Sequence, residues 1–255
     1  MIKENNKTLN DSMTITDFTI DNYKKCINLA KEKYEFIDYG QINQKEKFIL
    51  WRHDCDCSLN RALELAKIEN DLKIKSTYFI YIHSSFYNVF EKNQSKIIYD
   101  ILSLGHDMGL HFDADYYGIN NVNDLNIKIK YETNLLENIF NKKIKAFSFH
   151  YPSDWLFECE EERYGDLINC YSKNFKEEIG YVSDSNGYWR FHPLQSILEK
   201  GIYKELQVLT HPVWWQKTPM LPRERIMRAI NGRSKYVANT YDSFLESNNR
   251  INLKD

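Results

Sequence analysis

The sequence predicts an α/β protein built on a mostly parallel sheet, and three observations carry that prediction. Runs of β-branched and aromatic residues alternate with stretches of helical period, the pattern of βαβ units. Successive apolar runs begin about 30 residues apart, the length of one such unit. No internal repeat and no Pro-, Gly- or Ser-rich linker divides the 255 residues. Residues 13–255 are therefore read as one domain, and the polar, charged residues 1–12 as a flexible N-terminal end. An open doubly wound sheet and a closed or distorted barrel are both compatible with this pattern.

Each element has its own signal. Residues 17–33 read as a helix, with Tyr23, Ile27 and Ala30 at helical spacing. Residues 47–53 form a first strand. Ser58 is placed to cap the next helix, whose face is marked by Leu59, Ala62, Leu63 and Ala66. Residues 76–82 are a second strand, rich in aromatic and β-branched side chains. A helix over 95–104 ends at Gly105, a suitable C′ glycine. A short strand at 107–112, a long amphipathic helix at 124–141 and a strand at 144–150 follow. Weaker strand signals lie at 180–183 and 206–210, and Pro222 opens a C-terminal helix.

Composition narrows the function. The chain is 42% hydrophobic and 15% aromatic, enough for a sizeable core, and its 34 basic and 36 acidic side chains leave a formal charge of −2. That balance gives no reason to expect nucleic acid or an anionic membrane as partner. The cysteines Cys26, Cys55, Cys57, Cys159 and Cys170 are odd in number and scattered, which fits a reduced compartment. The N-terminus lacks an apolar signal core, and no stretch of about 18 apolar residues occurs. The sequence is thus read as cytoplasmic, without a membrane span. It has neither a GxSxG elbow nor a Gly-rich phosphate loop.

The chemistry gathers at strand ends, where α/β folds bind ligands. The apolar run of residues 48–51 breaks into Arg52-His53-Asp54-Cys55-Asp56. Two closely spaced carboxylates there can divide labour, one holding a cation and one moving a proton. Merely capping the next helix is the alternative, for which Ser58 is better placed. His111, His150 and His211 each end a later apolar run. Together with the Asp residues they would form an oxygen/nitrogen site suited to a cation such as zinc. His83, His106 and His192 read as structural, and His106 lies at the wrong end of its strand. Cys55 and Cys57 alternate away from Asp56 and read as packing residues. Trp189 and Trp214, with their aromatic neighbours, fit equally a core and the wall of a sugar site.

Taken in order, RHDCD, GHDMGLHFD, SFHYPS, SDSNGYWR and LTHP resemble the motifs of the NodB-homology polysaccharide deacetylase superfamily (family 4 carbohydrate esterases), most nearly its divergent WbmS-like branch. The resemblance runs from the first helix to the C-terminal one. It implies a distorted (β/α) barrel of about seven strands. It also implies a metal-dependent hydrolase that removes an acetyl or formyl group from an amino sugar or sugar precursor. By this resemblance Asp54 is the general base, Asp56 and His111 are metal ligands, and His211 is the general acid. The family's second histidine would fall at Asp115, so the third ligand is open between His150, which is preferred, and Asp113 or Asp115. Arg52, Asp113, Asp184, Trp189 and Trp214 are expected to line the substrate site. Asp184 would also orient His211, and Arg52 would tune the carboxylates. The implied cofactor is a divalent cation, zinc first. The implied substrate is a small sugar or a nucleotide- or lipid-linked sugar of surface-glycan (O-antigen or capsule) synthesis. A catalytically inactive sugar-binding protein on the same scaffold is the alternative.

Overall fold

The computed structural model describes residues 15–189 and 192–253. The N-terminal end expected at 1–12 lies outside the described residues. The helices are α1 (Ile20–Lys31), α2 (Leu59–Asp71), α3 (Lys92–Ser103), α4 (Val122–Phe140), α5 (Asp154–Phe157), α6 (Lys173–Glu177), α7 (Leu194–Lys200) and α8 (Pro222–Ser247). The strands are β1 (Glu35–Phe36), β2 (Phe48–Cys55), β3 (Thr77–Tyr81), β4 (Asp107–Phe112), β5 (Ala146–Phe149), β6 (Arg163–Tyr164), β7 (Leu167–Asn169), β8 (Gly180–Ser183) and β9 (Glu205–Thr210). Ser58 caps α2 as expected, accepting from the Arg61 N–H, and Gly105 takes φ +91° just beyond α3.

These strands form one nine-stranded sheet in the order β6-β7-β5-β4-β3-β2-β9-β8, with β1 beside β2. All pairings are parallel except β6 with β7. Among the described residues β6 and β8 do not pair, so the sheet curls into a half-barrel without closing. The fold class is the α/β barrel expected, with nine strands instead of about seven. The strands that the sequence pattern did not mark are the short β1, β6 and β7, of two or three residues each. Segments that short carry too little alternation to register in a sequence pattern.

β2 is buried along its whole length. It sits centrally, with β9 on one edge, β1 beside its first half and β3 beside its second. Period-two alternation sends Trp51, His53 and Cys55 to the helix-covered outer face and Leu50, Arg52 and Asp54 to the concave inner face. Parallel register extends the inner face to Phe79 and Tyr81 of β3, Gly109 and His111 of β4, Ser148 of β5 and Gln207 and Leu209 of β9. The lower part of this face is apolar, with Phe48, Leu50, Phe79 and Ala146 clustered around Tyr39. Gly109 is required there: a Cβ would lie 2.6 Å from the Phe79 ring.

The outer face is pinned by Glu69 of α2, a fully buried carboxylate. His53 Nε2 lies 2.6 Å from its Oε1, Tyr78 donates to Oε2 at 2.8 Å and Ser76 at 2.5 Å. Tyr23 of α1 donates to Oε1 as well, and itself accepts from Trp51 at 2.9 Å. On its other side His53 Nδ1 meets Thr210 Oγ1 at 2.7 Å, which ties β9 to β2. His106 joins below, its Nε2 donating to the Ala66 carbonyl at 2.9 Å, a structural role as expected. Burial alone would raise the Glu69 pKa, but His53 and the other donors outweigh it and hold it down at about 2, against an ordinary 4.5. A depressed carboxylate adds stability that is complete above pH 4.5 and lost as pH falls from there toward 2. Glu69→Ala should cost about 3–5 kcal/mol in urea unfolding, because it strands buried donors. Glu69→Gln should cost less and should flatten the acid limb of the stability curve between those pH values. An acid limb unchanged in Glu69→Gln would show that Glu69 does not set it.

Candidate metal centre

The inner face becomes polar toward the C-terminal ends of its strands, where the register brings the expected residues together. Asp56 follows β2, His111 is the penultimate residue of β4, and His150 follows β5. Their donor atoms form a triangle. His111 Nε2 is 3.0 Å from Asp56 Oδ1 and 3.2 Å from His150 Nδ1, and His150 Nδ1 is 3.7 Å from Asp56 Oδ1. Metal bonds of about 2.0–2.1 Å in tetrahedral geometry place ligand atoms about 3.3 Å apart, so the triangle has the right size for one cation. Asp56 Oδ1 is buried and has no hydrogen-bond partner despite these close nitrogens. A carboxylate oxygen buried without a donor is costly unless something else compensates it. The donor set and the orphaned oxygen both fit a divalent cation.

The support beneath is ordered. His111 Nδ1 lies 2.8 Å from Ser148 Oγ, which donates onward to Asp54 Oδ1 at 3.4 Å. With Ser148 Oγ accepting from the Nδ1–H, the Nε2 lone pair of His111 faces the triangle. Arg52 Nη2 pairs with Asp54 Oδ2 at 3.1 Å, and its guanidinium lies 5.3 Å above the Phe79 ring. Burial and the adjacent His111 lower the pKa of His150, which keeps that imidazole neutral and able to donate a lone pair. Burial would raise Asp56, but His111, followed by His211 and His150, brings it down to about 2.

His211 follows β9, with Nε2 3.7 Å from Asp56 Oδ2. Asp184 holds it, its carboxylate accepting from the His211 N–H at 2.9 Å and lying 2.6 Å from Nδ1. Trp215 donates to the same carboxylate at 3.1 Å. Burial works against a charged imidazole, but the Asp184 charge and hydrogen bond prevail and push His211 up to about 9. His211 is therefore protonated at neutral pH.

Several expected substrate contacts lie elsewhere. Arg52 is 0% exposed and paired with Asp54, which places it to support that carboxylate. Asp184 is fully buried and positions His211. Trp214 is buried in the outer apolar cluster, and Trp189 packs against Phe18 and Trp215 in the same layer. For both rings the core reading prevails, because they fall on the helix side of the sheet. Asp113 stays near the rim, accepting from Tyr81 at 2.6 Å. Asp115 is exposed on a short 3-10 turn, outside the triangle. Sequence reasoning missed Ser148 and Tyr81, whose ring stacks 4.2 Å from His150. Both lie on the inner face, and counting back by twos from His150 reaches Ser148. Tyr151 was also unforeseen. It takes φ +43°, is 78% exposed and stands edge-on to His150.

No family model matches the chain, and no curated protein matches it. Solved structures to which it is similar include carbohydrate esterases and deacetylases. One is a family 4 carbohydrate esterase from Bacillus anthracis, at 14% identity over 82% of this chain and 85% of that one, with TM-score 0.42. A second is a Streptococcus pyogenes deacetylase in complex with acetate, at 12% identity over 82% and 85%, with TM-score 0.43. A family 4 pseudoenzyme from Bacillus anthracis matches at 11% identity over 76% of this chain, with TM-score 0.42, and the chain spans only 62% of it. None of these speaks for the WbmS-like branch in particular. Among the described residues no helix is long and apolar enough to cross a membrane.

Two variants test the centre. His111→Ala should lose bound metal, read by elemental analysis after gel filtration, and a stoichiometric metal content in that variant would sink the assignment. Ser148→Ala should weaken metal affinity by roughly 10–100-fold, the usual worth of a residue that orients a ligand.

Proposed function

We propose that the chain is a metal-dependent hydrolase of the NodB-homology superfamily that removes an acyl group, acetyl or formyl, from the nitrogen of an amino sugar. The observation that carries this reading is the juxtaposition of the Asp56–His111–His150 triangle with the Asp54–Arg52 and His211–Asp184 pairs on one rim. Asp56, His111 and His150 would hold a divalent cation, zinc first, which supplies Lewis acidity toward water and the acyl carbonyl.

The remaining work falls to the chain itself. Asp54 accepts the proton of the attacking water. Its partners Arg52 and Ser148 fix its orientation. His211 delivers a proton to the leaving nitrogen, a required step because an amide anion is a very poor leaving group. Asp184 keeps His211 charged and aimed. Tyr151 offers an exposed ring beside the rim, and a tyrosine strained into the left-handed region next to a donor residue supports a ligand-contact role. We assign it the stacking of the sugar. A substrate carried on a nucleotide or lipid, and a place in surface-glycan synthesis in the cytoplasm, belong to the same proposal.

The direct test is acyl release from a panel of N-acetylated and N-formylated amino sugars and their phosphorylated forms, with zinc, cobalt or manganese restored after chelation. Asp54→Asn should retain metal and lose about two to four decades of turnover, the worth of a general base. Full turnover in that variant would overturn the base assignment, and loss of its metal would make Asp54 a support of His111 instead. His211 must be protonated to act, so turnover should fall as pH rises through about 9. Asp184→Asn removes the charge that raises His211, so the alkaline limb should move down toward the ordinary 6.5.

A further inference from the structure

A second concavity lies beside the metal centre. It is a cleft of about 560 Å³ between the start of α2, the turn after β9 and the first half of α8. Arg61, Lys67, Lys217, Arg225, Arg228 and Arg233 line it, and Glu64 is its acidic lining residue. Arg233 is neutralised by Glu91 at 2.6 and 2.9 Å, and Arg61 Nη1 lies 3.5 Å from Glu64. Lys67, Lys217 and Arg228 remain as excess positive charge, and Arg225 feels the carboxylates of Asp184 and Glu224 without a hydrogen bond to either.

Arg225 is the informative residue. It is 1% exposed, yet its Nε and Nη1 have no hydrogen-bond partner, and Arg61 Nε is buried and unpartnered as well. Its guanidinium stacks 5.0 Å from the Phe18 ring, which fixes its plane without satisfying its donors. Leaving guanidinium N–H groups buried and unused is expensive, so their retention points to an acceptor that completes them. The thirteen-residue helix α2 begins in the same cleft, through Ser58, Leu59 and Asn60, and adds the positive end of its dipole. Planar guanidinium groups beside a helix N-terminus match the geometry and charge of phosphoryl oxygens. The volume falls in the range of small-molecule sites and exceeds what a lone phosphate needs.

The cleft and the metal centre are joined through the chain by two short turns. Cys57, next to Asp56, and Val213, two residues beyond His211, both line the cleft. We propose that this cleft binds the phosphoryl or diphosphoryl group of a phosphorylated sugar ligand, with the buried Arg225 and the Nε of Arg61, whose other nitrogens already serve Glu64 and the Trp215 carbonyl, as donors and Arg228 and Lys217 closing over the anion. Naming that ligand as the substrate rests on the deacylase reading; the anion site itself stands on the unpartnered arginines.

Calorimetric titration of the full chain in metal-free buffer tests it, so that no anion is scored through a bound cation. The probes are inorganic pyrophosphate, uridine diphosphate, and phosphatidylcholine vesicles with and without a polyprenyl diphosphate. Saturable binding of pyrophosphate and uridine diphosphate is expected, weakened by roughly tenfold or more in Arg225→Gln. Arg228→Gln, at an exposed position, should weaken it too and guards against misfolding of the first variant. Tighter binding to the diphosphate-bearing vesicles than to uridine diphosphate would support the site with a lipid-linked ligand. Absence of saturable binding to any probe, or binding indifferent to both arginine variants, would overturn the proposal. Asp54→Asn should bind pyrophosphate as the unaltered chain does. Anion binding without acyl release from any substrate would therefore count against the hydrolase alone.

Discussion

The structure depends first on one buried carboxylate. Glu69 draws Tyr23 from α1, His53 from β2, and Ser76 and Tyr78 from the β3 segment onto a single point behind the sheet. An ionised group without water is tolerable only when its lone pairs are filled, and here hydrogen bonds fill them from several elements at once. The arrangement acts as a register lock. Sliding β2 by one residue would carry His53 to the inner face and put Arg52 or Asp54 in its place opposite Glu69, breaking the Glu69–His53 contact.

That lock has its consequence on the opposite face. With His53 outward, Arg52 and Asp54 must point inward, and the β2–β3–β4–β5 register sets Asp54 level with Phe79 and Gly109 and places His111 and Ser148, opposite each other, one inward step beyond it. The His111–Ser148–Asp54–Arg52 chain is thus the inner counterpart of the Glu69 cluster, and β2 carries both. Small details of packing serve the same end. Gly109 leaves room for the Phe79 ring, and that ring forms the floor on which the Arg52 guanidinium rests. A larger residue at 109 would displace the Phe79 ring beneath Arg52, and with it the support of Asp54 and His111.

The sequence disclosed what period and position encode. The strands whose apolar runs stop at a polar group, β2, β4, β5 and β9, were legible, and so were Asp56, His111, His150 and His211 at their ends. The Ser58 cap and Gly105 were legible because their chemistry is local. Ser148 was not, since a serine inside an apolar run has meaning only once β5 is set beside β4. Arg52 looked like a ligand contact because sequence does not reveal depth, and its depth comes from β9 and Tyr39 closing over it through Gln207. Trp189 and Trp214 could be core or sugar wall until the sheet face was known. The paired turn of β6 and β7 was invisible because so short a pairing is made by its neighbours and not by its own sequence.

The two rim turns that meet at the site have opposite electrical characters on their two sides. Asp56 and the Asp184-held His211 face the triangle, where the carboxylates favour a cation. Cys57 and Val213 open onto the arginine-lined cleft, where the excess charge favours an anion. The two sets of charge do not pair with each other: Asp56 sits at the end of the inner face, whereas Arg225 is held from outside by Phe18. A ligand that carries an anionic phosphoryl group at one end and a neutral acyl amide at the other meets both demands at once. It satisfies the unpartnered guanidinium on one side of the turns and brings the bond to be cut to the other. The binding energy of the charged end can then be used to orient the uncharged one, which offers the triangle little to hold it by itself.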